Sequence, residues 1–179
     1  LDDRKWSILL NTHVVLATHG SPPRDFPAEE MREFFELHSR LGHAVEANDP
    51  AATRYEELEK KMRAWRRTPQ NDSFHTASLE LASYMEKYIQ MPVFTAFNEF
   101  CAPSVSEALE NSAEMGASRV IVITSMLTRG GEHAEVDIRE AVQKAGREHP
   151  EIEFRFAFPF PAKDIAHFLA EQVKNFNSI

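Results

Sequence analysis

Three stretches of the chain, "HVVLAT" (13–18), "VFTAF" (93–97) and "RVIVITS" (119–125), are apolar at nearly every position rather than at every second one. A strand with one wet face alternates, whereas one that is apolar at both parities has to be covered on both faces. A fourth segment, "EFRFAF" (153–158), completes the strand set. Helical patterns separate the last three strands and follow the fourth. One runs from Pro103 to Met115, with Pro103 suited to a first turn, Ser104 and Glu107 at capping-box spacing, and Gly116 as the stop. Another covers about Glu132 to Ala145 and stops at Gly146, and a last one covers about Ala162 to Phe176, with Ile165, Phe168, Leu169, Val173 and Phe176 on one face. Strand alternating with helix predicts an α/β fold: a four-stranded parallel sheet with right-handed crossovers and helices on both faces.

Between the first two strands lie some sixty residues, Phe26 to Gln90, with no strand signal and three amphipathic helical patterns. Phe34, Phe35, Leu41 and Val45 mark the first; Tyr55, Leu58, Met62 and Trp65 mark the second, opened by Asp49 as N-cap before Pro50; Phe74, Leu81, Met85 and Tyr88 mark the third. No repeat or Gly/Ser linker interrupts the 179 residues, so a single domain over 1–179 with a helical insertion at about 26–90 is expected.

In an open parallel sheet, ligands bind outside the carboxyl ends of the strands. Those ends carry His19 after strand one, Glu99 just past strand two and His133 in the turn after strand three. Two imidazoles and a carboxylate in one crevice suit a borderline divalent metal such as Fe, Co, Ni or Zn with coordination positions left open, and equally suit acid–base chemistry. Gly20, Gly130 and Gly131 would allow a ligand close to the backbone. Cys101 reads as a small buried hydrophobe, His13 as part of strand one, and His38, His43, His75, His149 and His167 as structural or solvated. The run "KKMRAWRR" (60–67) reads as a solvated helix face, with a grip on substrate carboxylates as its functional alternative.

The net charge of −8 argues against nucleic acid as a partner. One cysteine excludes an internal disulfide, no apolar run reaches the roughly 18 residues of a bilayer span, and the start lacks signal-peptide order. No membrane partner and a cytoplasmic location are expected. Nucleotide loops, the G-x-S-x-G elbow and the H-E-x-x-H zinc motif are absent from the sequence. "THG" (18–20) resembles the "RHG" of histidine phosphatases, but Thr18 stands where the phosphoryl-holding arginine would be.

Three motifs in order resemble the class II chelatase family, the CbiX/SirB-type sirohydrochlorin chelatases. His19-Gly20-Ser21 matches the H-G-S that ends their first strand. "FNEFCAPSVSEAL" (97–109) matches F-x-E…P-S, and "SMLTRGGEHAEVDI" (125–138) matches P-x-F-L-x-x-G-x-H-x-x-x-D-I through Gly131, His133, Asp137 and Ile138. Ser125 replaces the usual Pro, Glu132 the frequent Arg, and Asn98 the usual Leu. The resemblance implies a chelatase-like (flavodoxin-like) fold of the short, half-size form, with the four strands in the order 2-1-3-4, working as a homodimer. It implies a divalent metal (Co²⁺, Ni²⁺ or Fe²⁺) as substrate, a sirohydrochlorin-type tetrapyrrole as its acceptor, and no organic cofactor. His19, His133 and Glu99 would hold the metal and accept pyrrole protons, with Gly20, Ser21, Gly130 and Gly131 lining the binding loops. Glu135 and Asp137 would orient the imidazole of His133 or shuttle protons. The resemblance does not cover the insertion, which from its own aromatic stripes is expected to wall the cleft, with Arg63, Arg66 or Arg67 meeting carboxylates, or else to build the dimer contact. A non-catalytic metal or tetrapyrrole carrier on the same fold is the competing expectation, and a phosphoryl-transfer enzyme the third.

Overall fold

The computed structural model describes residues 11–41 and 50–177. Val45, His43 and the Asp49 cap lie outside these residues, as does the N-terminal stretch read for targeting. The sheet consists of β1 (Thr12–Thr18), β2 (Val93–Phe97), β3 (Arg119–Thr124) and β4 (Glu153–Phe156), in the order β2-β1-β3-β4, and each neighbouring pair is parallel. This is the predicted topology. Every residue of β1 is buried, as the apolar run Val14 to Ala17 at its centre requires. In β3 burial alternates instead: Val120, Val122 and Thr124 are buried, Ile121 and Ile123 only partly.

One face of the sheet presents Val15, Ala17, Ala96, Val120 and Val122 to α4 (Val105–Glu114) and α5 (Ile138–Glu148), where Val105, Leu109, Ile138 and Val142 complete the core. Against the other face, α3 (Ser73–Ile89) packs along β2 and stacks His75 on Phe97. The last helix, α6 (Ala162–Asn177), has its predicted apolar stripe, yet none of its residues is buried, and Phe176 is 77% exposed. Among the described residues no helix is long and apolar enough to cross a membrane.

Local chemistry explains where elements start and stop. Ser104 forms both bonds of the capping box: its Oγ accepts from the Glu107 N–H at 3.2 Å, and Glu107 Oε2 accepts from the Ser104 N–H at 2.6 Å. Pro103, predicted inside the first turn, stands before the cap, where its carbonyl accepts from the Phe97 N–H. Gly116, at φ +80°, ends α4 in the left-handed conformation that glycine tolerates. Gly146 does not end α5. The helix continues to Glu148 because Val142 and Ala145 anchor its last turns in the core, offsetting the about 1 kcal/mol a helical glycine costs. β4 stops at Phe156, short of the predicted 158. The Ala157 N–H still bonds to the Val122 carbonyl, but Pro159 has no N–H to extend the ladder.

The insertion between β1 and β2 forms three helices, α1 (Ala28–Leu41), α2 (Pro50–Arg63) and α3. The aromatic residues of α1 and α2 mostly bury one another. Phe34, Leu58 and Met62 pack with Phe26 and with Phe100, a residue of the loop after β2, while Tyr55 and Trp65 close the rim. The insertion and the loop beyond β2 therefore share one small core.

Candidate metal centre

The β1–β2 ladder continues past the strand ends. The Asn98 N–H bonds to the Thr18 carbonyl and the Glu99 N–H to the His19 carbonyl, both at 2.9 Å, which sets His19 and Glu99 side by side. Gly20 makes this possible. At φ +102° its absent Cβ would fall 2.0 Å from the Glu99 carbonyl oxygen, so the room at position 20 is taken by backbone rather than by a ligand. Gly130, at φ +90°, and Gly131 have open space around them in the turn before His133. His133 opens a π-helical turn, His133–Asp137, that leads into α5.

These three loops bring His19, Glu99 and His133 into one cluster whose ligand atoms all lie within 4.8 Å of one another. Glu99 Oε2 is 3.6 Å from His19 Nε2 and 3.5 Å from His133 Nε2. The two rings stand edge to face with centroids 4.8 Å apart. Ligands about 2.1 Å from a tetrahedral ion are about 3.4 Å from each other, so the spacing of Glu99 from each imidazole suits ligands of one divalent ion.

Second partners decide which ring nitrogens are available. His133 Nδ1 lies 2.7 Å from Asp137 Oδ2, and a carboxylate only accepts, so Nδ1 carries the proton and Nε2 keeps its lone pair. Asn98 Nδ2 donates to the same Asp137 Oδ2 at 3.0 Å and lies beside His133 Nδ1. His19 Nδ1 donates to the Gly20 carbonyl at 3.2 Å, which likewise leaves Nε2 free to bind. Both basic nitrogens thus face the Glu99 carboxylate. The arrangement can bind a divalent cation, or take up protons between two imidazoles and a carboxylate.

Around this cluster, Phe100 stacks beside His19 at 6.3 Å, and Phe35 of α1 lies 6.0 Å from Phe100, so the insertion borders the centre. Tyr55 bonds to His38, and burial, reinforced by nearby Glu59 and Glu99, pushes its hydroxyl up to about 12. The Ser125 N–H donates to the Ala17 carbonyl at 3.2 Å, a bond the proline usual at this position could not make. Beside the ends of β3 and β4, Leu127, Arg129, Phe160, Ile165 and Leu169 line an apolar cavity of about 600 Å³.

Other candidates fall elsewhere. His13 is buried within β1 against Phe94, and its Nδ1 has no hydrogen-bond partner. Cys101 is fully buried, and loss of solvent raises its thiol pKa. Thr18 is buried with its hydroxyl donating to the Ala96 carbonyl, which leaves no group there to hold a phosphoryl. Arg63 and Arg67 correct the reading of 60–67 as a solvated face, since both turn inward onto backbone carbonyls of the site loops, while Arg66 is exposed. Sequence reasoning also missed that Asn98 donates to Asp137 beside His133, because a Leu-to-Asn departure gives no indication of its partner.

The CbiX family model matches residues 67–175, more than half of the chain. The chain belongs to the CbiX family. Among curated proteins it is 28% identical over 94 residues to a sirohydrochlorin ferrochelatase of Priestia megaterium, covering 51% of this chain and 35% of that protein. It is 34% identical over 67 residues to a sirohydrochlorin cobaltochelatase of the same organism, covering 37% and 22%. The matched regions thus span about a third or less of these relatives' lengths. A crystal structure of a candidate cobalamin (vitamin B12) biosynthesis CbiX protein from Marinobacter aquaeolei VT8 is similar at a TM-score of 0.46 and 16% identity, covering 93% of this chain and 98% of that one.

Proposed function

We propose that this protein inserts a divalent metal ion, Co²⁺, Ni²⁺ or Fe²⁺, into a sirohydrochlorin-type tetrapyrrole. The observation that carries this reading is the convergence of two imidazole Nε2 atoms on one carboxylate oxygen at 3.5–3.6 Å, with each ring's other nitrogen already engaged. Family membership and the two chelatase relatives support it.

In this mechanism His19, His133 and Glu99 hold the incoming metal at the edge of a bound macrocycle. The side chain of His19, 45% exposed, leaves that edge open. As the metal passes to the ring, two metal–nitrogen bonds form at the expense of two pyrrole N–H bonds. The two released protons go to the freed carboxylate and imidazoles, and then to water. Imidazole and carboxylate side chains suit both metal binding and proton transfer. The apolar cavity beside Leu127 and Phe160, with Arg129 at its rim, offers a wall for the macrocycle and a cation for its carboxylates. His, Glu and open positions accept all three metals, so the donor set alone does not choose among them.

The reading includes a homodimer, and the exposed stripe of α6 is a surface for it; light scattering at twice the 20.5 kDa chain mass would report it. The site itself is tested by soaking crystals in Co²⁺ and collecting anomalous data. A peak between His19, Glu99 and His133 is expected. A strong peak elsewhere, with none here, would overturn the assignment.

A further inference from the structure

We infer that Arg63 and Arg67, supplied by the insertion, are positioning residues of the metal centre, acting through the loop that carries Glu99. The inference rests on the metal-centre reading above and says what holds that centre in shape.

The loop after β2 turns sharply. Phe100 adopts φ +60°, a left-handed conformation unfavourable for a residue with a bulky side chain, and the Cys101 N–H folds back onto the Glu99 carbonyl at 2.6 Å. Such a turn directs the carbonyls of Asn98, Phe100 and Cys101 away from any strand ladder. Two guanidinium groups meet them. Arg63 donates from Nη1 to the Cys101 carbonyl and from Nη2 to the Asn98 carbonyl, both at 2.9 Å. Arg67 donates from Nη2 to the Phe100 carbonyl and from Nη1 to the Ser21 carbonyl, the latter at 2.9 Å. Glu99 is thus bracketed by gripped carbonyls on both sides. Arg67 additionally ties that loop to Ser21, two residues beyond His19.

Arg67 is built into the interior. Its side chain is 6% exposed and its partner Asp72, 2.9 Å away, is fully buried. The same Asp72 caps α3 by accepting from the His75 N–H, and Cys101 Sγ lies 3.6 Å from its other oxygen. Burying an ion pair is costly and often adds little net stability. What this one supplies is geometry: a planar fork can hold Ser21, Phe100 and Asp72 in fixed directions, whereas a lysine ammonium is a single point donor on a flexible stem. The insertion reaches the centre as a brace on its backbone, and these two cations are not available to grip a substrate carboxylate.

The test is a pair of double-variant cycles read by Co²⁺ affinity, with calorimetric titration of the full chain and thermal unfolding as the control for fold. Glu99→Gln alone should weaken Co²⁺ binding roughly tenfold, the scale of losing a ligand or its support. Arg67→Lys and Arg63→Met should each weaken it severalfold or more in the wild-type background and change it little in the Glu99→Gln background. This non-additivity marks residues acting through one another. A purely structural role would give the same loss in both backgrounds, and that result would overturn the inference, as would wild-type affinity in both arginine variants. Should Arg67→Lys fail to fold, the cycle with the partly exposed Arg63 decides by the same criteria. If Glu99→Gln binds Co²⁺ as tightly as wild type, the metal-centre reading itself fails, and this is seen before any arginine variant is made.

Discussion

His133 Nδ1 donates to Asp137 Oδ2 over 2.7 Å, one π-helical turn along the chain. Within this turn the two side chains at i and i+4 face each other, and Nε2 is directed at Glu99. A carboxylate behind a ligating imidazole fixes its tautomer and raises its basicity. Asp137→Ala should therefore lower Co²⁺ affinity by about 10–100-fold with little change in thermal stability, since this side chain is about a third exposed. Asp137→Asn keeps an acceptor and should lose less. Equal affinities in wild type and Asp137→Ala, measured by titration, would remove Asp137 from the centre.

Gly20 separates two backbones that nearly touch. A methyl group there would overlap the Glu99 carbonyl at 2.0 Å, and the residue would remain at φ +102°. Gly20→Ala should cost about 1–3 kcal/mol in strain and, by pushing the β2 loop away, weaken Co²⁺ binding as well. Denaturant unfolding and metal titration on the same variant check both effects. An alanine variant matching wild type in both would show that the close approach is dispensable.

Stability should fall on mild acidification because of His13. Burial lowers its pKa below the ordinary 6.5, so between pH 6.5 and the folded-state value the unfolded chain binds the proton more tightly and stability drops as pH falls. Above pH 6.5 the contribution is constant. His75 is lowered too, chiefly by burial, and adds with the same sign. With metal removed by chelator, His13→Leu should lose less stability than wild type between pH 7.5 and 5.0 in urea titrations. An identical loss in both proteins would place the acid sensitivity elsewhere.

Features that depend on local pattern were legible in the sequence. The unbroken apolar run of β1, the Ser104–Glu107 cap and the Gly116 stop are each written within a few neighbouring residues. So is the placement of His19, Glu99 and His133 at strand ends, which the parallel order then gathers into one crevice. Features decided by tertiary partners were not. Gly146 looks like a helix stop until Ala145 is seen anchored in the core. Arg63 and Arg67 look like part of a solvated basic face, because their partners are carbonyls and sequence carries no record of where a carbonyl points. The apolar stripe of α6 predicts burial, yet the helix remains exposed. Periodicity shows that a face is apolar without saying what covers it.

In the proposed reaction His19, Glu99 and His133 deliver a metal into a tetrapyrrole. The most direct test follows the absorbance of sirohydrochlorin under anaerobic conditions with Co²⁺, Ni²⁺ or Fe²⁺ at pH 7, comparing wild type with His133→Ala. Metallation by wild type well above the uncatalysed rate is expected with at least one metal. His133→Ala should lose that acceleration at a nearly unchanged thermal transition. A wild-type protein that binds the tetrapyrrole but metallates it with none of the three would be a carrier, and a fully active His133→Ala would leave this centre without its proposed role.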